Sequence, residues 1–117
     1  MRRWELYSEG KRKKLMDRIK RIIEECFWDY EISEKDVLEI IQGQDYQKKK
    51  FLFGKILLNS TRLFHDLELF GRRDLKKLLD EYKPHAFNRQ YAEKRKNLAE
   101  VHFFNKPLII EELKWRS

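Results

Sequence analysis

Cysteine, proline and glycine are scarce in this sequence of 117 residues, which contains one Cys, two Pro and four Gly. The single cysteine, Cys26, excludes an intramolecular disulfide and a zinc site built from cysteines, and it is typical of a protein in a reducing compartment. Glycine and proline supply most turns, and β-branched residues are few and scattered. The composition therefore disfavours an architecture rich in turns and strands.

Long apolar segments are also lacking. No run approaches the roughly 18 apolar residues that a membrane-spanning helix needs. The first ten residues, MRRWELYSEG, do not contain the apolar stretch of a secretory signal peptide. We therefore expect a cytoplasmic protein that does not interact with a membrane.

The residues that are abundant favour a folded helical domain. Charged residues make up 40% of the chain, and eight Phe, five Tyr and three Trp provide bulky side chains for a core. A chain of this length can bury roughly 65% of its surface in one domain without a disulfide or a metal. We predict an all-α fold over residues 1–117, a compact bundle of five or six short helices, with 1–7 and 107–117 as peripheral tails. A short stack similar to a helical-repeat fragment is the alternative, although no residue pattern recurs at a fixed period.

Residues typical of helix ends divide the chain at regular intervals. Five polar residues are suited to begin helices: Ser8, Ser33, Asp45, Ser60 and Asn88. Asp36 follows Ser33 at the position of the glutamate in a capping box. We expect helices to end near Phe27, Gly43, Gly71, Pro84 and Phe104. After Pro107 the chain forms either a short helix or an extended tail.

Charge is distributed unevenly along the chain, whose net charge is +7. Residues 1–21 carry a balance of +6, whereas residues 22–47 carry a balance of −7. On a helical wheel the first helix presents a stripe of cations opposite its apolar stripe: Lys11, Lys14, Arg18 and Arg21, flanked by Lys13 and Lys20. Such a stripe is suited to the phosphates of RNA or DNA. The solvated face of a helix in any lysine-rich protein would have the same pattern.

Three further basic clusters occur later in the chain, at residues 48–50, 72–77 and 89–96. The nucleic-acid hypothesis gains support if folding brings two of them beside the first helix. The sequence has no zinc-finger spacing, no aromatic RNA-binding motif on strands and no clear helix-turn-helix, so no known reader of bases is indicated.

The acidic segment from Glu24 to Asp45 suggests a protein partner instead. An acidic patch beside a basic one steers association, either with another protein or head-to-tail with a second copy. Trp28 and Tyr30 lie in this segment, and aromatic residues are common anchors at interfaces. We therefore assign Trp28, Tyr30 and Glu31 as candidate partner-binding residues. The alternative is that Trp28 and Tyr30 belong to the core or its edge.

Features of an enzyme are few. The three histidines, His65, His85 and His102, are too dispersed to suggest a metal site. The chain has no glycine-rich phosphate loop, and Cys26 lies on the apolar stripe of its helix, which favours a buried structural thiol. The sequence indicates no metal, no cofactor and no small-molecule ligand, and it assigns no catalytic residue from these features.

One pair of residues resembles the signature of a known family. In the segment RKNLAEVH, Arg95 and His102 lie seven residues apart and project from the same side of a helix. A similarly spaced Arg and His on a late helix resembles the HEPN family, small all-helical proteins that include metal-independent RNases. The resemblance implies that Arg95 and His102 act together on RNA, usually across a dimer. The resemblance covers this helix only, and Lys96 occupies the position after the Arg where the family often has a small polar residue. The alternative is that Arg95 and His102 pair with acidic neighbours at the edge of the core.

These observations favour a small non-enzymatic accessory or regulatory protein that acts by binding another protein, such as an antitoxin-like protein or the subunit of a complex. A nucleic-acid-binding protein that uses the basic face of the first helix is the first alternative. A HEPN-like metal-independent RNase that uses Arg95 and His102 is the second.

Overall fold

A computed structural model describes residues 8–109, and this part of the chain contains six α-helices, two 3-10 turns and no strand. The helices are α1 (Glu9–Cys26), α2 (Glu34–Gln42), α3 (Tyr46–Asn59), α4 (Leu63–Leu67), α5 (Arg72–Glu81) and α6 (Arg89–Phe104). The 3-10 turns are Glu68–Phe70, which follows α4, and Ala86–Asn88, which precedes α6. The prediction of an all-α bundle is confirmed.

Side chains cap the first three helices as the sequence predicts. Ser8 Oγ accepts a hydrogen bond from the backbone N–H of Lys11, at 3.3 Å. Ser33 and Asp36 form a reciprocal capping box at the start of α2. Asp45 accepts from the N–H of Lys48 and begins α3. Each contact satisfies a backbone donor that has no partner within its helix.

Two glycines mark helix ends for different physical reasons. Gly71 has φ +76°, a conformation that disfavours L side chains, and it joins the 3-10 turn to α5. Gly43 ends α2 with φ −84°, so it needs no left-handed conformation. A Cβ at Gly43 would lie 2.7 Å from the carbonyl oxygen of Glu39, and this close approach is what excludes a side chain there.

Two of the predicted side-chain caps do not form in the structure. The fourth helix begins at Leu63 rather than directly after Ser60, because the Ser60 hydroxyl donates to Asp66 and accepts from the N–H of Arg62. Asn88 precedes α6 at the N-cap position, but its side chain makes no capping hydrogen bond. In both places tertiary contacts or a preceding turn replace the local cap.

The core is built around α3, which packs against α1, α2, α4 and α6. Four apolar residues of α3 are buried: Leu52, Phe53, Ile56 and Leu57. The facing stripe of α1 contributes Ile19, Ile22 and Cys26. Burial, followed by the charges of Asp66 and Glu25, raises the pKa of the Cys26 thiol to about 12, as a structural cysteine requires.

The end of the described chain lies on α6. The Asn97 side chain donates to the carbonyl oxygen of Pro107 and accepts from the N–H of Ile109, at 3.1 and 2.9 Å. Residues 107–109 are not helical. The predicted tail at 1–7 and the rest of the tail at 107–117 lie outside the described residues. Across 8–109, no helix has both the length and the apolar character that crossing a bilayer requires.

Candidate functional site

An open cleft of about 1480 Å³ lies between α1 and α5. The end of α2, the start of α3 and the 3-10 turn Glu68–Phe70 complete its lining. Eight cations line it: Lys11, Lys14, Arg18, Lys49, Arg72, Arg73, Lys76 and Lys77. We call this surface the basic cleft.

The helices direct these cations toward the cleft because their opposite faces are buried. On α5, Leu75, Leu78 and Leu79 pack into the core, so the basic residues between them project outward. On α1, Ile19 and Ile22 are buried, whereas Lys14 is exposed. Folding thus brings three cations of the α1 stripe, Lys11, Lys14 and Arg18, into the same depression as the basic cluster of α5.

Four carboxylates also line the basic cleft, and three of them have partners. Asp74 pairs with the buried Lys49 at 2.8 Å, and Asp80 pairs at 3.0 Å with Lys106, a cation outside the lining. Glu81 accepts a hydrogen bond from the Tyr46 hydroxyl at 3.2 Å. Eight cations against Glu68, Asp74, Asp80 and Glu81 leave an excess of four positive charges. The cleft therefore has a positive field.

Two cations of the cleft lie over aromatic rings. The ammonium of Lys77 is 4.2 Å from the centre of the Tyr46 ring, and the guanidinium of Arg72 is 5.1 Å from that of Phe104. Burial, with the hydrogen bond to Glu81, raises the pKa of Tyr46 to about 12, so the hydroxyl is neutral at pH 7. These contacts fix cationic groups at the rim without neutralising them.

The predicted basic stripe of α1 divides between two surfaces. Lys11, Lys14 and Arg18 line the basic cleft, where Arg18 also donates to His65 Nδ1 at 3.3 Å. Lys13 and Lys20 are exposed and lie outside the lining. The Arg21 side chain instead contacts Asp66 of α4.

Arg21 belongs to a polar network centred on Asp66, which is fully buried. The guanidinium donates to Asp66 and to Glu25, the latter at 2.9 Å, and the Ser60 hydroxyl also donates to Asp66. Burial alone would lower the pKa of Arg21, but the hydrogen bond and charge of Asp66, with those of Glu25, raise it. Arg21 is therefore a firmly charged structural partner of Asp66.

Glu25 extends the same network to the turn between α3 and α4. Its carboxylate accepts from the backbone N–H and the hydroxyl of Thr61, at 3.1 and 2.7 Å. Burial would raise the pKa of Glu25, but the hydrogen bonds from Thr61 and the charge of Arg21 lower it. We call the set Arg21, Glu25, Ser60, Thr61 and Asp66 the Asp66 network.

The Asp66 network was not predicted, although the sequence contains a signal for it. In LFHDLELF, Asp66 lies three residues after Leu63 and one before Leu67, on the apolar face of the helix. An acid at such a position needs a buried cationic partner. The sequence does not identify which cation that is.

Trp28, Tyr30 and Glu31 lie in the loop between α1 and α2, and all three are exposed. The exposed fractions are 75% for Trp28, 55% for Tyr30 and 40% for the nearby Phe51 of α3. The Tyr30 ring meets the Phe51 ring edge-on, with 5.2 Å between centres. Trp28 and Tyr30 thus lie outside the core. We call Trp28, Tyr30 and Phe51 the aromatic patch.

Arg95 and His102 have different surroundings on α6. The Arg95 guanidinium donates to the carbonyl oxygens of Leu57 and Ser60 at the end of α3, and it lies 5.5 Å from the centre of the Tyr91 ring. The His102 ring stacks on Phe64 at 4.1 Å and is exposed. Arg95 therefore contacts backbone carbonyls in place of the acidic partners that the alternative interpretation expects. A cation satisfies such carbonyls, which have no partner within their own helix at its C-terminus.

Residues 8–109 contain no group of three or more His, Cys, Asp and Glu side chains that could hold a metal ion. No protein-family model, curated protein or solved structure matches the chain. The resemblance to the HEPN family rests on the spacing of Arg95 and His102 alone.

Proposed function

We propose that the protein binds the phosphate backbone of nucleic acid in the basic cleft. The observation that carries the proposal is that cations of α1 and α5, separated in sequence by three other helices, line one depression. Cations gathered in one depression repel one another, and a helix face that was basic only for solvation would not need to lie beside a second one. A polyanion between them would turn that repulsion into attraction.

The charge balance of the cleft supports binding through phosphates. Eight cations and four carboxylates line the cleft, and one of these carboxylates, Asp80, is paired with Lys106 from outside it, so the lining has a positive excess that would attract a polyanion. Each phosphate contact releases condensed counterions and contributes a slope of about −0.9 to a plot of log affinity against log salt. With four to six contacts we expect a total slope of about −4 to −5.

A charge-reversal experiment with a matched control tests this proposal. The cleft variant combines Lys14→Glu, Arg73→Glu and Lys76→Glu, all at exposed positions in the lining. The control combines Lys13→Glu, Lys20→Glu and Lys83→Glu, which are exposed but outside it. Each variant reverses three charges, a change of six units, so both take the net charge from +7 to +1.

Affinity for a labelled nucleic acid of mixed sequence is then measured by fluorescence anisotropy at low salt. We expect the cleft variant to lose about 100-fold in affinity, and the control to lose much less, because only the former removes direct phosphate contacts. Equal losses would mean that net charge alone attracts the nucleic acid, and the proposal would be wrong. Circular dichroism checks that both variants retain their helices.

A second candidate function is that of an accessory protein that binds another protein through the aromatic patch. The observation in its favour is that Trp28, Tyr30 and Phe51 are all exposed, with the Tyr30 and Phe51 rings in contact and the exposed acid Glu31 next to Tyr30 in the chain. Aromatic side chains with acidic neighbours suit a partner segment that carries both apolar and cationic side chains. Such a partner would be a regulatory target or another subunit.

A peptide titration tests this second candidate. The probe is a labelled peptide of alternating Lys and Leu, and its counterpart replaces each Lys by Glu. We expect Trp28→Ala to weaken binding of the basic peptide by about tenfold, since a central interface aromatic contributes more than 1 kcal/mol. Phe87→Ala removes another exposed ring and serves as the control. Equal affinity of the two peptides, or no effect of Trp28→Ala, would rule out the patch as this docking site.

A further inference from the structure

We infer that the basic cleft takes double-stranded nucleic acid in preference to single strands. The inference rests on the proposed function and specifies its substrate class. It follows from the positions of the aromatic rings and from the placement of cations on two separate walls.

The aromatic residues that line the cleft are not available to stack on a base. Among the described residues they are Tyr46 and Phe70. Phe70 is buried and meets the ring of Phe53 edge-on at 6.0 Å. Tyr46 is half-buried, lies beneath the ammonium of Lys77 and is held at its hydroxyl by Glu81. A base that stacked on Tyr46 would have to displace Lys77, one of the cations that attract the phosphates.

The exposed Phe, Tyr and Trp rings of residues 8–109 all lie outside this lining. They are Trp28, Tyr30, Phe51, Phe87 and Tyr91. Proteins that hold single strands rely on stacking between bases and such rings, and each stacked base contributes about 1–3 kcal/mol. A single strand in the basic cleft would lack this contribution. It would be held by its phosphates alone.

The two walls favour a ligand with phosphates on two sides. Lys14 and Arg18 line the cleft from α1, and Arg73 and Lys76 line it from α5. A duplex presents two strands and about one charge per 1.7 Å of its axis, twice the linear density of either strand. Both walls can therefore contact phosphates of a duplex at once, whereas one strand follows one wall or leaves part of the other unpaired.

The test compares mixed-sequence duplexes of about two helical turns with their component strands, for DNA and for RNA. All are measured by anisotropy in the same buffer with the full chain. We expect each duplex to bind about tenfold more tightly than either of its strands, because more phosphates reach the cations. A preference for duplex over single strands that is seen with only DNA or only RNA would support the inference and identify which of the two nucleic acids is the ligand.

Single strands that bind as tightly as the duplexes, or more tightly, would overturn the inference. The proposed function would stand in that case if the cleft variant K14E/R73E/K76E still lost affinity and its control did not. If Trp28→Ala weakened single-strand binding, a stacking platform outside the cleft would be in use, and the inference would be wrong. If no nucleic acid bound the wild-type protein, the proposed function would fail with it.

Discussion

Arg18 and Arg21 lie less than one turn apart on α1, yet they belong to opposite kinds of site. Arg18 lines the basic cleft, where cations outnumber carboxylates by two to one. Arg21 lies in the Asp66 network, where two carboxylates hold it. The same residue type on the same helix is therefore available to a ligand in one place and committed to the fold in the other.

The difference shows that the cations of a basic stripe have to be sorted by the groups they contact before a function is assigned to the stripe. A buried carboxylate such as Asp66 is costly unless a cation and hydrogen bonds satisfy it. Arg21 and Ser60 meet that requirement, so their loss should act on stability. Lys14, Arg73 and Lys76 of the cleft are exposed and lie outside this network, so their loss should act on binding. The following predictions separate the two regions.

The largest effect on folding is expected from Asp66→Ala. This change leaves the Arg21 guanidinium without its fully buried partner, and we expect a loss of about 3 kcal/mol in the free energy of unfolding. Urea denaturation followed by circular dichroism measures it. Nucleic-acid affinity of the folded variant should remain within about twofold, and a double variant Arg21→Met/Asp66→Leu should recover part of the stability. A loss of affinity without a loss of stability would place Asp66 in the binding site instead.

Arg95→Ala should destabilise the fold by about 2 kcal/mol, because two carbonyls at the end of α3 lose a charged donor. His102→Ala should change stability by less than about 0.5 kcal/mol, since the His102 ring is exposed. Thermal unfolding of the two variants measures both effects. Incubation of labelled RNA with the wild-type protein provides the enzymatic comparison. Cleavage that either variant abolishes, with its helical content retained, would establish the HEPN-like activity and contradict a purely structural role for Arg95.

Arg18→Gln should lower nucleic-acid affinity about fivefold, as expected for the loss of one phosphate contact. Its urea midpoint should stay close to that of the wild type, because the side chain makes one exposed contact, with His65. Arg21→Gln should do the reverse, with a lower midpoint and nearly unchanged affinity. If both arginines affected binding equally, the division of the stripe between two surfaces would be wrong.

The smallest expected effect is on how the stability of the fold depends on acid pH. The folded pKa of Glu25 is lowered from its ordinary value of 4.5, so the carboxylate stabilises the fold fully above pH 4.5. That contribution is lost as the pH falls below 4.5 and through the folded pKa. Glu25→Gln should therefore destabilise the protein by less than about 1 kcal/mol at pH 7, and the difference from the wild type should shrink at pH 3.5. A difference that grew toward acid pH would contradict this role for Glu25.

Local features of the fold could be predicted from the sequence because they depend on neighbouring residues. The caps at Ser8, Ser33 and Asp45 each involve a contact with a residue three positions on. Ser60 shows where this fails: its hydroxyl is engaged by Asp66, so the local signal for a helix start is not used.

The candidate site was predictable only in part. Helical periodicity places Lys14 and Arg18 on one face of α1, but their position in one cleft with Arg73 and Lys76 depends on how the helices between α1 and α5 pack. Periodicity also grouped Arg21 with the stripe, because a helical wheel contains no information about a carboxylate 45 positions away. The exposure of Trp28 and Tyr30 likewise depends on the packing around Phe27, which is buried in their place.

The salt dependence of nucleic-acid affinity tests the central claim most directly, measured for the wild type, the cleft variant K14E/R73E/K76E and the control K13E/K20E/K83E. If the basic cleft contacts phosphates, the slope of log affinity against log salt should become shallower by about 3 in the cleft variant, one unit per lost contact. The control should keep a slope close to that of the wild type. A slope that is the same for all three proteins would contradict the account, because the attraction would then come from net charge and not from the cleft.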